Sequence, residues 1–121
     1  MIEIQKKISN LSCDEIDVLF SKPENVPLLT IDDELKIIHQ IRKGGKEALQ
    51  AKEILATSNL RFIYSVAKKY ENPGYILQEL IANGISGLIM ASEKYDEKRG
   101  FKFMSYAIWW IRQSILKSIV K

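Results

Sequence analysis

Apolar positions recur at three- and four-residue intervals along almost the whole chain, the period of an α-helix that buries one face. Ser12-Cys13-Asp14-Glu15 reads as a capping box opening a short helix, which Pro23 and Pro27 interrupt. Thr30-Ile31-Asp32-Asp33 is a second start signal, followed by Leu35, Ile38 and Ile41 at helical spacing and stopped by Gly44-Gly45. A further helix begins near Lys46, with Ala48, Ala51 and Leu55 on one stripe. Ile63, Val66, Ala67 and Tyr70 form another face, and Pro73-Gly74 ends it. Thr57-Ser58-Asn59 either breaks the chain or lies inside one long helix; the pattern permits both. Next come a helix over Tyr75 to Tyr95, a polar turn from Asp96 to Gly100, and a last helix from about Phe103. With no strand, repeat or low-complexity stretch, this predicts an all-α, compact helical bundle of about five to six helices.

Two of these helices carry more apolar surface than one core requires. On the last, Met104, Ala107, Ile108, Ile111, Ile115 and Ile119 make the core stripe, while Tyr106, Trp109, Trp110, Gln113 and Lys117 fall on another side. A sandwiched helix would hide one indole, but a row of this composition favours a binding surface. Aromatic faces stack on unpaired bases at roughly 1–3 kcal/mol each, and lysine and arginine hold phosphates. On the Tyr75–Tyr95 helix, Leu77, Leu80, Ile81, Leu88, Ala91 and Tyr95 face the core, with Gly84 and Gly87 allowing close approach. Ala82, Ile85 and Ile89 form a second apolar row, covered either by another protein or by the N-terminal helices.

Charge sharpens the picture. The chain of 121 residues has a net charge of +3, yet residues 1–93 carry a net −2 and residues 94–121 a net +5. That asymmetry points to an anionic partner for the C-terminal part, with a solvated basic face as the alternative. Hydrophobic residues at 46% and charged residues at 27% describe an ordinary globular domain. The single cysteine, Cys13, excludes an internal disulfide framework, and with one histidine, His39, a zinc site has too few Cys/His ligands. No glycine loop of the P-loop type is present, and Asp32-Asp33-Glu34 and Asp14-Glu15 suit helix N-termini better than metal. The expectation is a protein that binds rather than catalyses, without cofactor or metal. Leu80 to Ser92, the longest uncharged stretch, is too short to span a bilayer, and no secretory signal opens the chain. A soluble, cytoplasmic protein follows as the expectation. The last helix runs to Lys121 without a cap, which suggests a fragment or a protein lacking further domains.

The run Arg99-Gly100-Phe101-Lys102-Phe103-Met104-Ser105-Tyr106-Ala107-Ile108-Trp109-Trp110-Ile111-Arg112-Gln113 closely resembles conserved region 2 of housekeeping-type bacterial sigma factors. Asn59-Leu60-Arg61-Phe62 with Ser65-Val66-Ala67-Lys68-Lys69-Tyr70 is similar to the first part of that region. Gly84, Gly87-Leu88, Ala91 and Glu93-Lys94-Tyr95-Asp96 resemble its middle. Pro27-Leu28-Leu29-Thr30 with Glu34, and Lys43-Gly44 with Glu47-Ala48, resemble the helical region preceding it. The likeness divides the chain into an N-terminal extension of unknown role, residues 1–26, and a region 2-like domain, residues 27–121. Within that domain residues 27–57 are a helical preamble and 58–121 the polymerase- and promoter-binding part.

The resemblance implies a bacterial, nucleoid-associated transcription initiation factor, or a fragment of one. It would bind the clamp helices of the largest subunit of core RNA polymerase and melt the promoter −10 element by capturing its non-template strand. An anti-sigma factor is a further partner it implies. By analogy Tyr106 would stack on the flipped −11 adenine, Trp109 and Trp110 would wedge the upstream bubble edge, and Phe103 would support that wall. Gln113 and Leu116 would meet the last base pair, Lys102, Arg112 and Lys117 would hold phosphates, and Asn59 and Ser105 would line a pocket for a downstream thymine. Polymerase would meet Glu79, Ala82, Asn83, Ile85 and Ile89. The family usually has Asp-Leu-Ile-Gln-Glu-Gly-Asn-Ile-Gly-Leu-Met where this chain has Glu79-Leu80-Ile81-Ala82-Asn83-Gly84-Ile85-Ser86-Gly87-Leu88-Ile89. Ala82, Asn83 and Ile85 thus replace polar or charged positions, and Leu116 stands where many relatives have threonine. A sigma-like decoy that binds polymerase without opening the promoter is the alternative, and a free single-strand binder a third class.

Overall fold

A computed structural model describes residues 2–21 and 29–119. Among them are seven α-helices: α1 Glu3–Ser9, α2 Cys13–Ser21, α3 Ile31–Lys43, α4 Lys46–Ser58, α5 Leu60–Lys68, α6 Leu77–Lys94 and α7 Phe103–Ile119. A single 3₁₀ turn, Glu97–Arg99, precedes α7, and no strand occurs among the described residues. The all-α architecture predicted from periodicity is the one observed. Pro23, Pro27 and Leu28, the boundary between residues 26 and 27, and Lys121 lie outside the described residues.

Local chemistry sets the helix ends. Ser12 Oγ accepts from the Glu15 amide at 3.1 Å and Glu15 Oε1 accepts from the Ser12 amide at 3.1 Å, the reciprocal capping box that opens α2. Thr30 Oγ1 accepts from the Asp33 amide at 3.1 Å and caps α3. Gly44 and Gly45 both hold positive φ, 79° and 83°, and turn the chain between α3 and α4. The Thr57–Asn59 question resolves as a one-residue break: α4 ends at Ser58, α5 begins at Leu60, and the Asn59 side-chain amide donates to the Leu55 carbonyl at 2.9 Å.

The long helix α6 is the axis of the molecule, with α7, α5, α1, α3, α4 and α2 all packed on it. Its largest partner is α7, and glycines bring the two together. A Cβ at Gly87 would stand 2.6 Å from the Trp110 carbonyl oxygen, and one at Gly84 would stand 2.7 Å from the Ile63 side chain. A methyl group at Gly87 would press on the α7 backbone, and one at Gly84 would require the Ile63 side chain to shift. Leu80, Ile81, Leu88 and Ala91 fill the core with Ile63, Ile111 and Ile115, all nearly inaccessible.

The second apolar row of α6 is covered by the chain itself. Ala82 is 6% exposed and Ile85 is fully buried, while Ile89 is half-buried. The α1 helix lies on this side, where Gln5 Nε2 donates to the Ala82 carbonyl and to Ser86 Oγ, both at 2.8 Å. Of the two covers the sequence allowed, the N-terminal helices are the one observed. The α2 helix is anchored separately. Phe20 stacks on Tyr64 with centroids 4.4 Å apart, the Tyr64 hydroxyl donates to Asp17 at 2.9 Å, and Lys68 bridges Asp17 at 3.1 Å and Glu71 at 2.8 Å.

Candidate nucleic-acid interface

The surface built on α7 starts from the turn before it. Asp96 accepts from the Lys98 amide at 3.0 Å, and Gly100 adopts the left-handed conformation with φ 82°. This reversal returns Phe101 toward Tyr95, whose hydroxyl donates to the Phe101 carbonyl at 2.6 Å. Tyr95 is buried under the cluster, its ring 5.3 Å from Phe103, 5.9 Å from Tyr106 and 6.1 Å from Phe101. Burial, and then the charge of Glu97, raises the Tyr95 hydroxyl above the ordinary phenol value, which keeps it a neutral donor.

Above this floor runs a chain of rings. Phe101 stacks on Tyr106 at 5.7 Å, Tyr106 meets Trp110 edge-on at 6.1 Å, and Trp110 meets Trp109 at 5.3 Å and 89°. Trp109 is 57% exposed and Phe101 39% exposed, while Tyr106 and Trp110 are half-buried. Phe101, Ser105, Tyr106 and Trp109 line an open pocket of about 340 Å³. Lys102, Arg112 and Lys117 are exposed on the same helix or its leading edge. The Trp110 indole Nε1 is buried without a hydrogen-bond partner among the described residues. Trp110 is thus held by packing, its backbone pressed on Gly87, while Trp109 stands in solvent.

Most sequence-derived candidates are gathered here. Ser105, Tyr106, Trp109, Trp110, Arg112, Gln113, Leu116 and Lys117 all lie on α7, with Gln113 and Leu116 half-buried, and Lys102 immediately precedes it. Phe103 is 2% exposed and supports the rings from beneath. Asn59 stands at the end of α4, where its side-chain amide donates to the Leu55 carbonyl at 2.9 Å, and is not among the residues that line the pocket of Phe101, Ser105, Tyr106 and Trp109. Phe101 was absent from the expected set because it precedes the helix and lies outside its periodicity. Its signal was an aromatic directly after a glycine, at the point where the chain must turn.

On α6, Glu79 is exposed and Asn83 and Ile89 are half-buried, whereas Ala82 and Ile85 are inside the domain. Ile85 is a core side chain, which corrects any expectation that it stands on an open docking face. Among the described residues no cluster of His, Cys, Asp and Glu could hold a metal, and no helix is long and apolar enough to cross a membrane.

The fold and surface together define an all-helical domain presenting an aromatic, basic helix to solvent. The sigma-70 region 2 family model matches residues 55–121, so the chain belongs to that family. Its relatives include the RNA polymerase sigma factor SigA of Lactococcus lactis subsp. cremoris, 40% identical over 97% of this chain and 35% of that protein. The SigA proteins of a Bacillus species and of Clostridium acetobutylicum are 43% and 41% identical, each over 88% of this chain and 27% of theirs. The chain therefore spans about a third or less of the length of these curated relatives.

Proposed function

We propose that this chain acts in transcription initiation, docking on core RNA polymerase through α6 and capturing unpaired bases of the promoter −10 element on the α7 surface. The observation that carries this is the continuous ring series Phe101–Tyr106–Trp110–Trp109, exposed at Phe101 and Trp109 and flanked by exposed Lys102, Arg112 and Lys117. Phe101 and Trp109 stand in solvent beside half-buried Tyr106 and Trp110, and open ring faces of this kind suit bases removed from the duplex stack. A flipped adenine of the non-template strand would enter the pocket of Phe101, Ser105, Tyr106 and Trp109. The edge-to-face tryptophan pair would close the upstream side against the duplex. The three cations would hold the backbone of the separated strand. Unstacking costs a few kcal/mol, which stacking at roughly 1–3 kcal/mol per base and the phosphate contacts together offset.

The clamp helices of the largest polymerase subunit are the proposed partner of α6, with Glu79, Asn83 and Ile89 as its accessible residues. Binding of a labelled single-stranded −10 oligonucleotide, followed by anisotropy at fixed salt with core polymerase present, tests the reading. The expected result is tighter binding of the strand with its −11 adenine than of one in which that base is replaced, and only when both proteins are present. Polymerase binding with equal treatment of the two strands would make the chain a sigma-like decoy. Equal binding without polymerase would make it a free single-strand binder.

A further inference from the structure

The turn that delivers Phe101 to the ring pocket is tied to a helix outside that pocket. Glu97–Arg99 form one 3₁₀ turn of three residues, a length with little stability of its own. Asp96, Lys98, Arg99 and Gly100 are exposed, whereas Glu97 is half-buried. His39 of α3 meets it there, its Nε2 lying 3.0 and 2.8 Å from the two Glu97 carboxylate oxygens. A carboxylate only accepts, so Nε2 carries the proton and donates to both. The helix behind His39 is fixed in place. Ile38 and Ile41 are buried in the core, and Gln40 donates to Glu47 of α4 at 2.8 Å.

We propose that His39 and Glu97 are positioning residues for base capture, a clasp through which α3 holds Phe101 against Tyr106. This rests on the base-capture reading above. Glu97 is engaged at both ends: its side chain is gripped by α3, and its carbonyl accepts from the Gly100 amide at 3.3 Å. Gly100 is the left-handed residue that sends Phe101 back over Tyr95, so the bond closing that reversal starts from the residue α3 grips. The other carboxylate of the turn, Asp96, is used inside it, on the Lys98 amide at 3.0 Å. Beyond the reversal, Phe101 is held by the Tyr95 hydroxyl on its carbonyl and by its stack on Tyr106, and it remains 39% exposed. A pocket wall attached so lightly moves with its turn.

The two side chains are 55% and 35% exposed, and an ion pair so placed biases a conformation by about two- to fivefold. His39→Ala and Glu97→Ala should each weaken binding of the −10 strand by that factor with core polymerase present, while polymerase affinity stays at the parent value. The double variant should lose no more than either single change, because the same contact is lost in all three. His39→Lys, which returns a cationic donor to Glu97, should recover most of the affinity. In a Phe101→Ala background His39→Ala should have no further effect, a result that general destabilisation would not give. Strand binding tightened by Glu97→Ala but weakened by His39→Ala would reveal long-range charge instead and overturn the clasp. Losses that add in the double variant, losses that persist without Phe101, or unchanged affinity in both single variants would overturn it as well. If Phe101→Ala alone binds the strand like the parent chain, the base-capture reading falls and the clasp falls with it.

Discussion

At the scale of single residues, neighbours in sequence differ sharply in what they do. Trp109 stands in solvent while Trp110 is pinned, and Tyr106 lies between the pocket and the buried Tyr95. Tyr106→Ala should lower single-strand capture about ten- to hundredfold, the loss of one stacked base, with polymerase affinity unchanged. Anisotropy with the −10 strand and a separate polymerase titration check both halves; equal losses in the two would join the surfaces proposed to be distinct. Ile85→Asp addresses the opposite situation. Ile85 is fully buried, so a carboxylate there has no water and no partner, at a cost of more than about 4 kcal/mol. Thermal unfolding by circular dichroism should show the cooperative transition lost or moved far down. A folded variant that merely fails to bind polymerase would put the side chain back on the surface.

At the scale of elements, the seam between α6 and α7 transmits packing to the site. Gly87→Ala would press a methyl group on the Trp110 carbonyl and the Ser114 hydroxyl. Overpacking of this kind costs about 1–3 kcal/mol, and any relief moves the backbone that carries both tryptophans. The expected outcome is lower stability to denaturant together with weaker strand capture, whereas stability loss alone would show that the seam does not position the rings. The α2 anchor should respond to acid. The Tyr64 hydroxyl first, and Lys68 second, hold the Asp17 carboxyl below its ordinary value. A folded-state value below the unfolded one means that Asp17 stabilises the α2 anchor above the usual carboxylate range. That contribution is lost as pH falls through the lower, folded value. Exchange protection of α2 should therefore decline below about pH 4, and Asp17→Asn should flatten that dependence.

The same elements show what the sequence could reveal. The capping box at Ser12 and Glu15, the Thr30 cap and the Gly44-Gly45 turn were legible because each is decided by atoms a few residues apart. The Asn59 break was not, since one non-helical residue hardly disturbs a three- to four-residue period. The aromatic row of α7 was legible from spacing, but Phe101 joins it through the Gly100 reversal and the Tyr95 hydroxyl, which periodicity does not encode. The cover over Ala82 was open between two alternatives because Gln5 and Ala82 are 77 positions apart.

At the scale of the whole molecule, charge and fold separate two tasks. The net +5 of residues 94–121 includes the cations bordering the rings, while residues 1–93, which build the remaining helices, carry a net −2. Contacts from Lys102, Arg112 and Lys117 to three phosphates should make log affinity for the strand fall with log salt at a slope of about −2. Lys102→Ala should reduce that slope by about 0.7 without changing base preference. A slope near zero in the presence of polymerase would show that the rings alone hold the strand.

The distance in sequence between Gln5 and its α6 acceptors also has a consequence during synthesis. With 77 positions between them and translation at about 5–20 residues per second, the α1 segment is made roughly 4–15 s before Ala82 exists. Throughout that delay it has no groove, and a seven-residue segment without one does not hold helical shape. The α1 segment therefore folds only after its α6 acceptors have been made. Each newly made α6 begins with this side bare and is closed by a segment synthesised seconds before it.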